Sequence, residues 1–402
     1  MFTNHDVIIG TAQECCTICG SRDLEVAIDL PELPLTDTFC REMPTAAIGG
    51  IDQQLMFCQE CGHGQLSRQV NPDILYGAGY GFRTSASATA RKGTEVFLSF
   101  LNELAPEKQF SCILDLGCND LYLLQQLQGR ARIRCGIDPI WASKEDQLED
   151  ESIEVIGAPI EEVDLGLRLA VRPDLILCRH TLEHISAPVT VLQRLLASAA
   201  ADALFLFEVP GLEALVNRFR FDQVFHQHLQ YFSLSSFHRL IRETGGYYLS
   251  HRINYHDWGA LLIAFTKKKG NVKEWEESFS KLELSTINGN YNFFLEQMSN
   301  MNHVLKTIEG SLIYGYGAAQ MLPVLAYHLK NDLSSFKSIL DDDTSKDGWY
   351  YSNLPVPIQH VDKAEDLIEA SILITAIDNV KSILVKLLRQ RPKHILYPFN
   401  LI

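Results

Sequence analysis

Two short cysteine pairs constrain this chain more than any other feature. Cys16 and Cys19 lie in "CTICGS" and Cys58 and Cys61 in "CQECGHG", and each pair is followed by a glycine. Glycine lets the backbone turn sharply, so the two thiolates of a pair converge on one ion, and two such knuckles supply the four ligands of a closed tetrahedral zinc site. Four protein ligands leave no position for water, so the ion is expected to be structural. His63 and Cys15 are close enough in sequence to replace a ligand, but the regular spacing favours the four paired cysteines. All ten cysteines precede Arg179, a distribution unlike that of a disulfide scaffold. Cys112, Cys118, Cys135 and Cys178 fall in or beside apolar strand patterns and read as buried free thiols.

A chain of 402 residues suggests two or three domains. Its net charge of -15 is the wrong sign for a nucleic-acid footprint and directs attention to small-molecule partners. The start, "MFTNHDVIIG", has no basic flank before an apolar core, and no uncharged apolar run reaches membrane-spanning length. The expectation is a cytoplasmic protein with neither nucleic acid nor membrane as partner; the oligomeric state stays open.

After a Gly- and aromatic-rich loop, "YGAGYGF", Val96, Phe97, Phe100, Leu101 and Leu104 recur at helical spacing until Pro106. "CILDLGCND" then reads as a buried strand entering a Gly turn, "LYLLQQLQ" as a helix, and "RIRCGIDP" as a second strand ending on Asp138. A turn with free backbone amides followed by an acid at the tip of the next strand suits a ligand carrying a ribose, because a carboxylate accepts from both hydroxyls. Asp115, Gly117, Asp120 and Asp138 are the expected cofactor contacts. Further strands at "PDLILC" and "ALFLFEV" flank the helix "APVTVLQRLLASAA", and "YYLSHRIN" with "GALLIAF" closes the sheet as an antiparallel pair. This order describes the α/β doubly wound sheet of class I S-adenosylmethionine methyltransferases, with a nicotinamide-binding sheet as the alternative.

Near the C-terminus, Phe294, Met298, Met301, Leu305 and Ile308 alternate in steps of four and three, the mark of a packing seam. "SLIYGYGAAQMLPVLAYHL", "FKSILDDD", "ASILITAI" and "HILYPF" then outline a second Rossmann-like unit, in which Gly315, Gly317 and Asp341 could cradle a nicotinamide dinucleotide. The expected divisions are a zinc-binding domain over 1–75, a methyltransferase domain over 76–270, a helical connector over 271–309 and a C-terminal Rossmann-like domain over 310–402. In "FHQHLQYFSL", His226 and His228 would share one face of an extended segment. They read as a metal pair lacking a nearby carboxylate, as a hydrogen-bonded core pair, or as a proton acceptor.

The order of double Cys knuckle, "YGAGYGF", "LDLGCND", "GIDP", "RHTLEHI", "FEVP", "FHQHLQYFSL" and "IYGYGAA" resembles the C-methyltransferases that act on nucleotide-linked deoxysugars, over nearly the whole chain. The resemblance implies S-adenosylmethionine as cofactor, a nucleotide sugar as substrate and a C-terminal domain that closes over it. It implies that His228 removes a proton beside a sugar ketone, with His226 and Gln227 supporting it and His180 and Tyr80 stabilising the enolate. Three departures stand out. The family's Tyr-His-Glu-His is Phe-His-Gln-His here, Leu121 replaces the glycine after Asn-Asp, and "TAIDN" lacks the family's aromatic before Asn. Loss of the carboxylate makes His228 a weaker base than the family pattern has. Oxygen or nitrogen methylation of a related sugar therefore stays open, as do a nicotinamide-dependent oxidoreductase and a non-catalytic sugar-nucleotide binder.

Overall fold

The computed structural model describes residues 8–9, 12–44, 49–75, 83–148, 150, 152–256, 259–269 and 281–399. In the N-terminal part, strands β1 (Leu24–Leu33), β2 (Ile51–Cys58) and β3 (Gly64–Leu66) form an antiparallel meander. Leu30, Leu33, Leu55 and Phe57 are buried on its inner face, the alternation expected of a half-buried sheet. Its fourth strand comes from far along the chain. Gln230–Tyr231 pairs with Gly64 and Gln65, directly after the histidine segment.

The central part begins with helix α1 (Ala88–Leu104), whose N-cap Ser87 accepts the amide of Ala90. Phe97, Phe100 and Leu101 are its buried stripe, packed with Phe110, Ile113 and Leu262; each such side chain contributes roughly 1.5–3 kcal/mol on full burial. The strands are β4 (Phe110–Leu116), β5 (Ala131–Ile137), β6 (Ile153–Ile156), β7 (Leu175–Arg179), β8 (Leu204–Val209), β9 (Tyr247–Asn254) and β10 (Ala260–Thr266). They lie in the order β9-β10-β8-β7-β4-β5-β6. All neighbours run parallel except at β10, which is antiparallel to both β8 and β9. The nearly continuous apolar runs of β7 and β8 follow from burial on both faces of a parallel sheet.

Helix α2 (Leu284–Thr307) leads to the C-terminal part. Phe294, Met298 and Leu305 are buried, with Met301 and Ile308 partly so, and they share one core with Leu30 and Leu33 of β1, Phe221 and Leu325. The seam read from the sequence is thus packing between all three parts. β11 (Ile313–Tyr316), β12 (Ser338–Asp341), β13 (Ile358–His360), β14 (Ser371–Ile374) and β15 (His394–Leu396) form an all-parallel sheet in the order β13-β12-β11-β14-β15. This part is tied back to the first by Tyr350–Tyr351, which pairs with Phe39–Cys40. Among the described residues no helix is long and apolar enough to cross a membrane.

Candidate active site and metal centre

The cysteine knuckles are built as their spacing requires. Gly20 and Gly62 have φ of +72° and +74°, and their amides donate back to the carbonyls of Cys16 and Cys58 at 2.9 Å. Cys16 Sγ lies 3.6 Å from Cys61 Sγ, and Cys19 Sγ 3.6 Å from Cys58 Sγ, all four within 4.8 Å of one another. A zinc ion with bonds of about 2.3 Å sets tetrahedral sulfur–sulfur edges of roughly 3.8 Å, so the cluster fits zinc. Without a cation the thiols crowd one another. Hydrogens shared with Cys58 and then burial push Cys16 up to about 12, contacts with Cys16 and then Cys58 push Cys61 up, and Cys58 is held low as the thiolate that Cys16 and Cys61 solvate. His63 is no ligand: it is fully buried, with Nε2 2.9 Å from Gln230 Oε1 and Nδ1 3.3 Å from Ser236 Oγ. Cys15 stands outside the cluster.

The residues expected to contact the cofactor lie at the C-terminal ends of the parallel strands β4 and β5. Gly117, with φ of +68°, faces Thr181 so closely that a Cβ would meet its Oγ1 at 1.9 Å; only glycine fits. Asp138 accepts the amide of Asn119 at 2.9 Å and that of Ile140 at 3.0 Å, which ties the Gly turn to the tip of β5. A carboxylate with two oxygens retains acceptor capacity for ribose hydroxyls. Asp120 Oδ2 accepts from Ser85 N at 2.9 Å, whereas Oδ1 is buried with no partner among the described residues, an orphan acceptor that suits a cationic amine. Asp115 lies beneath the turn. Burial and then the facing Asp138 push its pKa up to about 8 against the pull of Arg179, so at neutral pH it keeps its proton. Leu121 has φ of +64°, which accounts for a glycine being the easier residue there.

The histidine segment differs from its expected form. Residues 226 and 227 form a turn, with His228 N donating to Phe225 O at 3.1 Å, so the shared face of an extended segment does not exist. His226 meets the carbonyl of Leu33 at 2.9 Å through Nε2, an anchor to β1. His228 goes the other way, its ring 5.0 Å from that of His184. Gln227 donates to Leu75 O at 3.1 Å and accepts from Gln320 of the C-terminal part at 2.6 Å, so its side chain joins two parts of the molecule. His184 Nδ1 donates to Gln227 O at 2.7 Å.

Sequence reasoning missed two members of this cluster. Glu183 and His184 sit on the short turn Leu182–His184 after β7, and with His228 they bring one carboxylate oxygen and two ring nitrogens within 4.8 Å of one another. The signal was present in "RHTLEHI": on a helical turn, positions three and four apart share a side, and His180, Glu183 and His184 have that spacing. His180 has φ of +50° and lies with Nδ1 3.4 Å from Glu183 Oε1. Burial and then His184 push His228 down to about 3, opposed by Glu183, so its imidazole is neutral at pH 7. Tyr80 and Tyr76 lie outside the described residues.

The strand order 3-2-1-4-5-7-6 with its antiparallel seventh member is that of class I methyltransferases, not of a nicotinamide sheet. Residues 89–251 match the family model of a methyltransferase domain, and residues 16–76 that of a zinc binding domain. Two family models thus cover separate stretches of the chain, a zinc binding domain followed by a methyltransferase domain. The corresponding groups are a structural zinc and S-adenosylmethionine. The chain is 25% identical over 236 residues to the C-methyltransferase NovU of Streptomyces niveus, covering 57% of this chain and 55% of that protein, so it spans about half the length of that relative. Solved structures similar to it include the N-methyltransferase NodS of Bradyrhizobium japonicum with S-adenosyl-L-homocysteine (13% identity, TM-score 0.36, 46% of this chain and 89% of that one). A second is the 1,6-didemethyltoxoflavin-N1-methyltransferase of Burkholderia thailandensis (18%, TM-score 0.34, 45% and 79%).

Proposed function

We propose that this chain methylates a carbon atom of a nucleotide-linked keto-deoxysugar. The observation that carries the reading is the meeting of His228 with His184 and Glu183 beyond the end of β7, the edge at which doubly wound sheets bind their ligands. It is supported by similarity to a relative named as a C-methyltransferase. When bound, S-adenosylmethionine supplies an electrophilic methyl group. Asp138 accepts hydrogen bonds from its ribose, Gly117 lets the backbone approach, and the free oxygen of Asp120 takes its amine, with Asp115 beneath the turn. A ring nitrogen of His228 accepts the proton from the carbon beside the ketone, and the electron pair stays on the sugar as an enolate. His180 and Tyr80 donate to the enolate oxygen. His226 and Gln227 support the turn that carries His228, and the C-terminal part closes over the nucleotide.

The test is hydrogen exchange. Wild-type protein in heavy water, with a thymidine diphosphate keto-deoxyhexose and an unreactive donor analogue, is expected to exchange the carbon-bound proton. His228→Ala is expected to lose exchange by roughly 10²–10⁴-fold, the usual contribution of a general base. Undiminished exchange in that variant removes His228 from the role. A second reading rests on Phe225 and Gln227, which take a hydroxyl and a charge out of the motif. On that reading the methyl lands on oxygen or nitrogen of a related sugar, and the product's mass-spectrometric and carbon NMR signature decides between them.

A further inference from the structure

His228 has a chemical difficulty. It is buried, beside a second imidazole, and the carboxylate that would favour its protonated form is absent at position 227, whose amide is engaged by Leu75 and Gln320. A base that takes a proton from carbon must hold a positive charge, and in this setting the charge has little solvent to stabilise it. The fold places a different carboxylate in reach. Glu183 is fully buried, and neither of its oxygens has an aligned hydrogen-bond partner among the described residues. A buried ionised carboxylate without partners is costly, and what faces this one is three imidazoles. His180 Nδ1 lies 3.4 Å from Oε1, and a ring nitrogen each of His184 and His228 lies within 4.8 Å of a Glu183 oxygen.

We propose that Glu183 is the counter-charge of the His180–His184–His228 cluster, and that it takes the place of the carboxylate missing at Gln227. It is a positioning residue, acting on substrate only through the histidines, and the proposal rests on the reading of His228 as base. The proton that leaves the sugar carbon moves to an imidazole of the cluster and Glu183 remains ionised throughout, so the Glu183–histidine cluster goes from net negative to neutral while the enolate takes up the negative charge. Other titratable or charged groups around the cluster are Cys178 on β7, the Arg179–Glu208 ion pair beside His180, and Tyr231, whose ring is 6.2 Å from that of His228. None of them supplies a free negative charge: Glu208 is held by Arg179 and Asn254, and burial pushes the Cys178 thiol up and Tyr231 up. Burial pushes Glu183 up as well, but contact with His180 and the other two rings more than offset it, so the carboxyl sits below the usual range.

The experiment is a pH titration of the full chain with isotope-labelled histidine, followed by NMR, on wild type, Glu183→Gln, Glu183→Asp and the double variant Glu183→Gln, Gln227→Glu. Glu183→Gln is expected to lower the proton affinity of the cluster about tenfold or more, one pKa unit in its coupled titration. Glu183→Asp keeps the charge and should retain most of that affinity, and the double variant, which moves the charge to 227, should regain part of it. No sugar is needed, so this result stands apart from the exchange test above. An unchanged titration in a folded Glu183→Gln protein overturns the proposal even if His228 proves to be the base. A second metal ion per chain that is lost in Glu183→Gln overturns it too, because the carboxylate is then a ligand. If wild type exchanges the sugar proton, Glu183→Gln should slow that step about tenfold at neutral pH, with KM for the thymidine diphosphate sugar unmoved.

Discussion

The molecule contains the same local device twice, with different results. In both α/β sheets a strand enters a glycine turn and the next strand ends on an acid: Gly117 with Asp138, and Gly317 with Asp341. In both, the glycine amide donates to the neighbouring strand, to Ile137 at 2.8 Å and to Leu340 at 2.7 Å, and the acid accepts an amide of the turn. Their surroundings diverge. Lys346 Nζ donates to Ala318 O at 2.9 Å and Tyr351 to Ala319 O at 2.8 Å in the second turn, whereas Trp141 Nε1 donates to Asn119 O at 2.7 Å in the first. At the first, Asp120 keeps a buried oxygen with no partner among the described residues. The strand beneath differs as well: Asp115 supports the first turn, whereas Gly315 occupies the matching position of the second, where a Cβ would meet Ile339 at 2.5 Å. A strand, a Gly turn and an acid make a scaffold, and the side chains that fill or vacate the crevice decide whether it receives a ligand. This weighs against reading Gly315, Gly317 and Asp341 as a dinucleotide cradle.

The largest expected effect concerns what the two crevices share. The zinc-bearing sheet takes in Gln230–Tyr231 from the central part, and Phe39–Cys40 pairs with the C-terminal part. Loss of the metal should therefore loosen both. Structural zinc contributes on the order of 10 kcal/mol of apparent binding free energy. A Cys16→Ser, Cys58→Ser protein should carry no zinc and melt far below wild type by calorimetry; full zinc content by metal analysis rejects the four-cysteine assignment.

The next effect isolates the buried acid that only the first crevice has. Asp115 is raised from 3.8 to about 8, so the folded chain holds a proton that the unfolded chain releases between those values. Stability contributed by this group is present in acid and is lost as pH rises through that window, with a slope of up to about 1.4 kcal/mol per pH unit. Asp115→Asn should flatten the decline in denaturant midpoints from about pH 4 to pH 8. A decline of equal slope in the variant assigns it to another group.

The acids at the strand tips test the comparison itself. Asp138→Ala should weaken S-adenosylmethionine binding roughly ten- to hundredfold, as expected for loss of a charged acceptor worth about 1.5–3 kcal/mol. Asp341→Ala should leave that affinity unchanged by titration calorimetry. If the two variants behave alike, the crevices are not different in function. The smallest effect is at Leu121. A leucine in the left-handed region costs about 1–2 kcal/mol, but Leu121 is buried, and the lost burial of about 1.5–3 kcal/mol with glycine's unfolded-state entropy of about 0.4–1 kcal/mol exceeds that relief, so Leu121→Gly should lower stability by about 1–2 kcal/mol. A higher melting temperature would show that backbone strain outweighs the packing of this side chain.

Much of this was legible because the signals were local. Cys16 with Cys19 and Cys58 with Cys61 need only a glycine turn to converge, and the run from "LDLG" to "GIDP" needs only one strand–helix–strand unit. The steps of four and three from Phe294 to Ile308 identified a helix face before its neighbours were known. The histidines were harder. His226 and His228 read as sharing a face because alternation was assumed, and a turn at 226–227 sends one to Leu33 and the other to His184.

The sequence by itself determined the convergence of the four paired cysteines, the class of the central sheet, the glycine turn at 117 and the acid that ends the next strand at 138, because each is fixed by covalent spacing or by one residue's own conformational range. Only the tertiary structure decided the partners of His228. Glu183 and His184 are more than forty positions away, and they meet it because β7 ends beside a turn that is held in place from outside the sheet. That hold comes from Gln230–Tyr231 pairing into the zinc-bearing sheet, from Leu33 and from Gln320. Such contacts depend on how the faces of three parts pack together, and a polar side chain's burial, and with it its proton affinity, exists only once that packing has removed the water.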